Sequence, residues 1–143
     1  MKRRTLIRAR TWSIIAMILG CSVLCLAADT ALDTARIEQL TGVKGELNSK
    51  EGVFKVSVPR TDLAVTAAGV KMTPPMGLTS WAAFQPAGTQ TMVMGDIVLL
   101  EDQVNPVMSM ALTNGLEVTA LHNHFFWDTP KVMFMHIGGM GSA

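Results

Sequence analysis

Apolar and polar positions fall into different rhythms along the chain. Residues 12–28 are apolar without one charge, several runs between 53 and 100 alternate in steps of two, and 101–115 repeat in steps of three and four. A step of two places alternate side chains on opposite faces of a strand, whereas the i, i+3, i+4 pattern marks one face of a helix. "VFKVSVP" (53–59) sets Val53, Lys55 and Ser57 against Phe54, Val56 and Val58, a half-buried strand. "DLAVTAAGVKM" (62–72) reads as a second strand entered from the bend Pro59–Arg60–Thr61, and "TPPMG" (73–77) breaks the chain. "LTSWAAF" (78–84) and "TMVMGDIVLL" (91–100) are the third and fourth strands, with "QPAGTQ" (85–90) between them. Gly95 inside the fourth predicts a bulge or a close backbone approach.

The rhythm then changes. Val104, Val107, Met108, Ala111 and Leu112 share one face of a helix over 101–114. Glu101 and Asp102 suit its positive end, Pro106 is tolerable only near its first turn, and Gly115 ends it. "LEVTALHNHF" (116–125) and "KVMFMHIGG" (131–139) follow as a hairpin joined by "FWDTP" (126–130). Before all of this, 29–42 predicts a short helix capped at Asp33 or Thr34, facing inward through Ile37 and Leu40 and stopped by Gly42. "KGELNSKEG" (44–52) reads as a polar turn. The expected fold is α+β: a mainly antiparallel sheet, one internal helix and a C-terminal histidine-bearing hairpin. The expected organisation is a signal peptide over 1–27, an N-terminal helix and linker over 28–50, and one module over 51–143.

The leader reading rests on Lys2, Arg3, Arg4, Arg8 and Arg10 preceding the apolar run, with small residues before Ala28. At about 17 residues the run is short for a membrane span of roughly 20. An uncleaved anchor, a twin-arginine signal at "RRTLI" and a lipoprotein box ending at Cys21 are the alternatives. The expected destination is the periplasm or cell envelope, with no stable membrane span after cleavage. Both cysteines, Cys21 and Cys25, lie in the leader, so the exported part has neither thiol nor disulfide and must be held by its core. Five of the 12 Lys+Arg leave with the leader, so seven face 11 Asp+Glu. A mildly acidic remainder without a basic patch argues against nucleic acid as a partner.

All three histidines fall within 15 residues: His122, His124 and His136. His122 and His124, two apart on a strand, point the same way as Val118 and Ala120; His136 shares its face with Phe134 and Val132. A hairpin centred on Thr129 sets His122 opposite His136, with His124 on the next step. Three converging imidazoles suit a divalent metal with an open position, zinc being the first choice. Glu101 and Asp102 are weaker candidate ligands. The plain alternative is a hydrogen-bonded cluster at a loop end. The methionine pairs 92/94, 108/110 and 133/135 raise a rival copper reading, weakened because Met133 and Met135 face away from His136. Phe126 and Trp127 form an aromatic tip and, with Trp81, are candidate contacts for an unknown small molecule or envelope component. Trp81 otherwise reads as core.

"GVFKVSVPRTDLAVTAAGV", "PPMGLTSWAAF", "VMGDIVLLEDQVNPV" and "NGLEVTALHNHFFWDTPKVMFMHIGG" resemble the LppY/LpqO family, exported bacterial proteins of unknown function. The resemblance runs from about Ile37 to Gly141. It implies the same three histidines as the site but no reaction. It also implies that members carry two such modules and continue past "HIGGMG" with an amphipathic helix. On that reading this chain is one N-terminal module lacking its closing helix, with an uncovered hairpin back and a tendency to self-associate.

Overall fold

The computed structural model describes residues 31–142. The expected signal peptide, 1–27, with both cysteines, lies outside them. In chain order the elements begin with helix α1 (Thr34–Thr41), strand β1 (Gly45–Asn48) and β2 (Val53–Pro59), followed by the short strands β3 (Thr66–Ala67) and β4 (Val70–Lys71). A 3-10 turn at Pro74–Met76 leads into β5 (Thr79–Ala87) and β6 (Gln90–Leu100). Helix α2 (Glu101–Thr113), β7 (Glu117–His122), β8 (Asp128–Thr129) and β9 (Val132–Gly141) complete the chain. One antiparallel sheet runs β1-β2-β5-β6-β9-β7, and a smaller one runs β4-β3-β8. The α+β expectation is met. Among the described residues no helix is long and apolar enough to cross a membrane.

Strands β6 and β9 form the spine, paired from Thr91↔Gly141 to Leu100↔Val132. Their lower halves, "IVLL" and "VMFM", are apolar at every position because both faces are covered. Val98, Val132 and Phe134 point to the small sheet and pack with Val65, Met72 and Leu78. Leu99 and Met135 point the opposite way, onto Val104 of α2. Burying each of these large side chains contributes on the order of 1.5–3 kcal/mol. α2 packs on the back of the hairpin, where Met135 is buried and Met133 and Ile137 are half-buried.

Several local expectations need correction. α1 is capped by Asp33 and ended by Gly42 as foreseen, but Leu40 is 69% exposed rather than inward. The "polar turn" contains a true edge strand, β1, which polarity concealed. Gly45 admits the Phe54 ring where any Cβ would lie 2.2 Å from its Cζ, and strand pairing supplies the rest. The single strand expected over 62–72 is two two-residue strands, folded back at Ala68 and Gly69, both with positive φ. The expected connection 85–90 shrinks to Gly88–Thr89, since Gln85–Ala87 and Gln90 join the ladder. Gly95 marks a close approach and no bulge: a Cβ there would meet the Trp81 carbonyl oxygen at 2.7 Å. Pro106 is the sixth helical residue, beyond the first turn, so the Asp102 carbonyl has no N–H to accept four residues on. Gln103 compensates at the helix start by accepting from the Leu100 N–H at 3.0 Å.

Candidate metal centre

The lower part of the sheet face that carries Phe134 is covered by the small sheet; above that cover, β6 and β9 present Asp96 and His136 side by side in register. β7 arrives on the far side of β9 with one irregularity. Val118 pairs with Ile137 and Ala120 with His136, so Thr119 is an extra residue that reverses the alternation. Val118 therefore joins the α2 core, while Ala120 and His122 turn to the face of His136. The expectation that Val118, Ala120 and His122 share one face fails for this reason. The register expectation fails too: His122 opposes Phe134, and Ala120 opposes His136. His124 lies past the end of β7.

The three imidazoles nonetheless meet. His122 Nε2 and His124 Nε2 are 3.0 Å apart, and the His122 and His136 ring centroids are 4.7 Å apart, edge to face. His124 stacks flat on Phe134 at 3.4 Å, so a core ring fixes its plane. His136 Nε2 stands 3.8 Å from Asp96 Oδ2, too long for a hydrogen bond. Asp96 Oδ1 is buried and has no hydrogen-bond partner. Burial pushes the His124 pKa down, Asp96 opposes this, and the two neighbouring imidazoles reinforce it. These effects favour the neutral ring, whose one unprotonated nitrogen can meet a cation. Among the described residues, no three His, Asp or Glu side chains enclose a metal ion as they stand.

The remaining candidates are scattered. Glu101 and Asp102 are exposed in the first turn of α2, the helix that covers the opposite face of the sheet, and are not brought to the histidines. Asp128 is occupied: its buried carboxylate accepts from the Val132 N–H at 2.8 Å and pairs with Lys131. Trp81 is not core. It is half-buried on β5 directly opposite Asp96, with Lys55 Nζ 4.4 Å above its ring, and it walls a shallow depression with Met92 and Met94. Phe126 and Trp127 are 81% and 80% exposed, their rings 5.7 Å apart, with Trp127 at φ +57°. Met133 lies with the α2 core and Met135 is buried there, away from His136, as expected. Asp96 is the residue sequence reasoning missed. Its signal was present: one charge inside the apolar run "MVMGDIVLL", on a strand whose pairing with β9 only the topology reveals.

A family model described as Domain of Unknown Function (DUF1259) matches residues 35–143, about three-quarters of the chain. The chain belongs to this family. The matched span of the DUF1259 domain contains Asp96, His122, His124 and His136. No curated protein and no solved structure matches it.

Proposed function

We propose that this chain is an exported, LppY/LpqO-like cell-envelope module that holds one divalent metal ion through His122, His124, His136 and Asp96. The observation that carries the reading is the convergence of three imidazoles beside a buried carboxylate oxygen that nothing in the protein satisfies. A carboxylate so placed is costly unless a cation meets it. His122 Nε2 and His124 Nε2 hydrogen-bond to each other at 3.0 Å, and an ion between them would take the place of the shared proton. Two nitrogens each bound at about 2.1 Å to one ion lie about 3.0 Å apart at a right angle and about 3.4 Å apart at a tetrahedral angle. His136 is half-exposed beside them. Three imidazoles and one carboxylate suit zinc first, then manganese or iron. An ion held this way on an open face retains a position for water or for an oxygen of a small molecule. Trp81, directly opposite Asp96 across the β5–β6 ladder, would supply apolar contact beside that position.

Metal content by mass spectrometry decides the reading, on the full chain purified without an affinity tag and without chelator. Near-stoichiometric metal, lost in the His122→Ala/His136→Ala variant while its circular dichroism is unchanged, is the expected result. A folded, metal-free protein that also ignores added zinc, manganese, iron and copper would defeat it.

A further inference from the structure

Just past His124 the chain builds a surface that the candidate metal centre does not use. Between two anchored residues, the loop from β7 to β8 turns two rings outward. On one side Phe125 packs against the core, edge to face on Phe134 with centroids 5.9 Å apart. On the other, Asp128 pairs with Ala67 of β3, and the Trp127 carbonyl accepts from the Ala68 N–H at 3.3 Å. Phe126 and Trp127, between these anchors, are the two most exposed large apolar side chains among the described residues. Trp127 is held at φ +57°, which bulky residues seldom adopt. Such strain persists only where the surroundings impose it, and it concentrates at functional positions. Neighbouring loops extend the apolar surface. Val70, paired with Ala67 at the β3–β4 turn, is more than half exposed. So is Met76, beside the Gly77 backbone against which the Phe125 ring lies.

The charge of these loops is one-sided. Residues 63–95 contain no Asp or Glu, and 118–143 contain only Asp128, which is buried and paired with Lys131. Lys71, next to Val70, is exposed and belongs to none of the ion pairs among the described residues. Trp and Phe beside an unpaired lysine and no free acid is the composition of a peripheral bilayer contact. The rings sit at headgroup level, and the ammonium meets lipid phosphate. Protein interfaces are instead depleted in lysine. A sugar site needs a few placed polar groups, and residues 125–131 offer no side-chain amide and no free carboxylate. We propose that Phe126, Trp127, Val70 and Met76 seat the folded chain on a lipid surface, with Lys71 facing anionic headgroups. The contact is interfacial, with the rings entering about 5–10 Å and no segment of the tip spanning the bilayer. It does not depend on the metal.

The test uses the full chain carrying Trp12→Phe and Trp81→Phe, which leaves Trp127 as its one tryptophan. The probes are vesicles of phosphatidylcholine, alone or with one-third phosphatidylglycerol. Because the signal comes from Trp127, attachment through any other segment does not score. Without lipid, the emission should be that of an indole in water. Vesicles should shift it to the blue, and lipids brominated on their chains should quench it. Lys71→Gln should weaken the response to anionic vesicles about fivefold and leave that to phosphatidylcholine alone unchanged. Phe126→Ser should weaken both about tenfold. If Trp81→Phe disturbs the circular dichroism, the parent chain gives the same reading: quenching by brominated lipid should be smaller in Trp127→Phe. The proposal is overturned if neither vesicle moves the Trp127 emission, or if Phe126→Ser responds as fully as its parent. It is equally overturned if the emission is already blue without lipid and reddens on dilution, since a second copy then covers the tip.

Discussion

Alanine at Gly95 gives its β-carbon nowhere to go. That carbon would lie 2.7 Å from the Trp81 carbonyl oxygen and 3.0 Å from Ile137 Cγ1. The carbonyl belongs to β5, which is hydrogen-bonded to β2 on one side and β6 on the other, so it has little freedom to withdraw. Ile137 is packed against the α2 core and yields only by disturbing it. Overpacking of this kind costs about 1–3 kcal/mol, and the lost flexibility of glycine in the unfolded chain returns about 0.4–1 kcal/mol. A net loss of roughly 1–2 kcal/mol follows. Gly138, across the ladder from Met94, is the internal control. A β-carbon there meets nothing nearer than 3.8 Å, and its φ lies outside the left-handed region. Gly138→Ala should therefore be neutral or gain up to about 1 kcal/mol. With a urea slope of about 1–3 kcal/mol per M, the two variants should differ in unfolding midpoint by about 1–2 M. Equal midpoints, or a lower one for Gly138→Ala, would refute the close-approach argument.

Two further outcomes are expected. Asp96→Asn should weaken metal binding at least tenfold by isothermal titration, yet leave the metal-free protein at least as stable as the parent, because Oδ1 has no hydrogen bond to lose and a buried charge is removed; unchanged affinity would remove Asp96 from the ligand set. Asp128 contributes to acid stability: burial pushes its carboxyl up, but Lys131 and the Val132 N–H outweigh that and hold it below the ordinary carboxylate value. The folded state then binds fewer protons than the unfolded one, so this stabilisation is complete above about pH 4 and is lost as the pH falls below it. Asp128→Asn keeps an acceptor for Val132 and should lose about 0.5–1.5 kcal/mol at pH 7 and less at pH 3, and parallel stability curves for parent and variant would contradict this.

Much of the architecture was legible in the spacing of side chains. The alternation in 53–59 and 91–100 and the three-four spacing after Glu101 located β2, β6 and α2, because in each the buried face is set by local periodicity. β1 was invisible, since Gly45, Glu46 and Asn48 have no apolar face; its place is fixed by Phe54 and by pairing, neither of which periodicity reports. The same reasoning found three of the four residues now grouped at the candidate centre. It misplaced their register, because one extra residue at Thr119 shifts the phase of β7 and no pattern in "LEVTALH" announces a bulge. The carboxylates it named are not brought to the histidines. Glu101 and Asp102 are nearer to β7 in sequence, but Asp96 is nearer to His136 in space, and the β6–β9 ladder that decides this is a long-range fact.

That ladder also ties the candidate centre to the stability of the protein. Along β9, Phe134 and His136 alternate with Met135 and Ile137; along β6, Asp96 and Val98 alternate with Ile97 and Leu99. Sliding either strand by one residue would drive Asp96 or His136 beneath α2 and bring Met135 or Ile97 out to water. No mispaired ladder can therefore keep the core and lose only the chemistry, or keep the chemistry and loosen only the core. A chain that has paired β6 with β9 has, by the same act, set Asp96 beside His136.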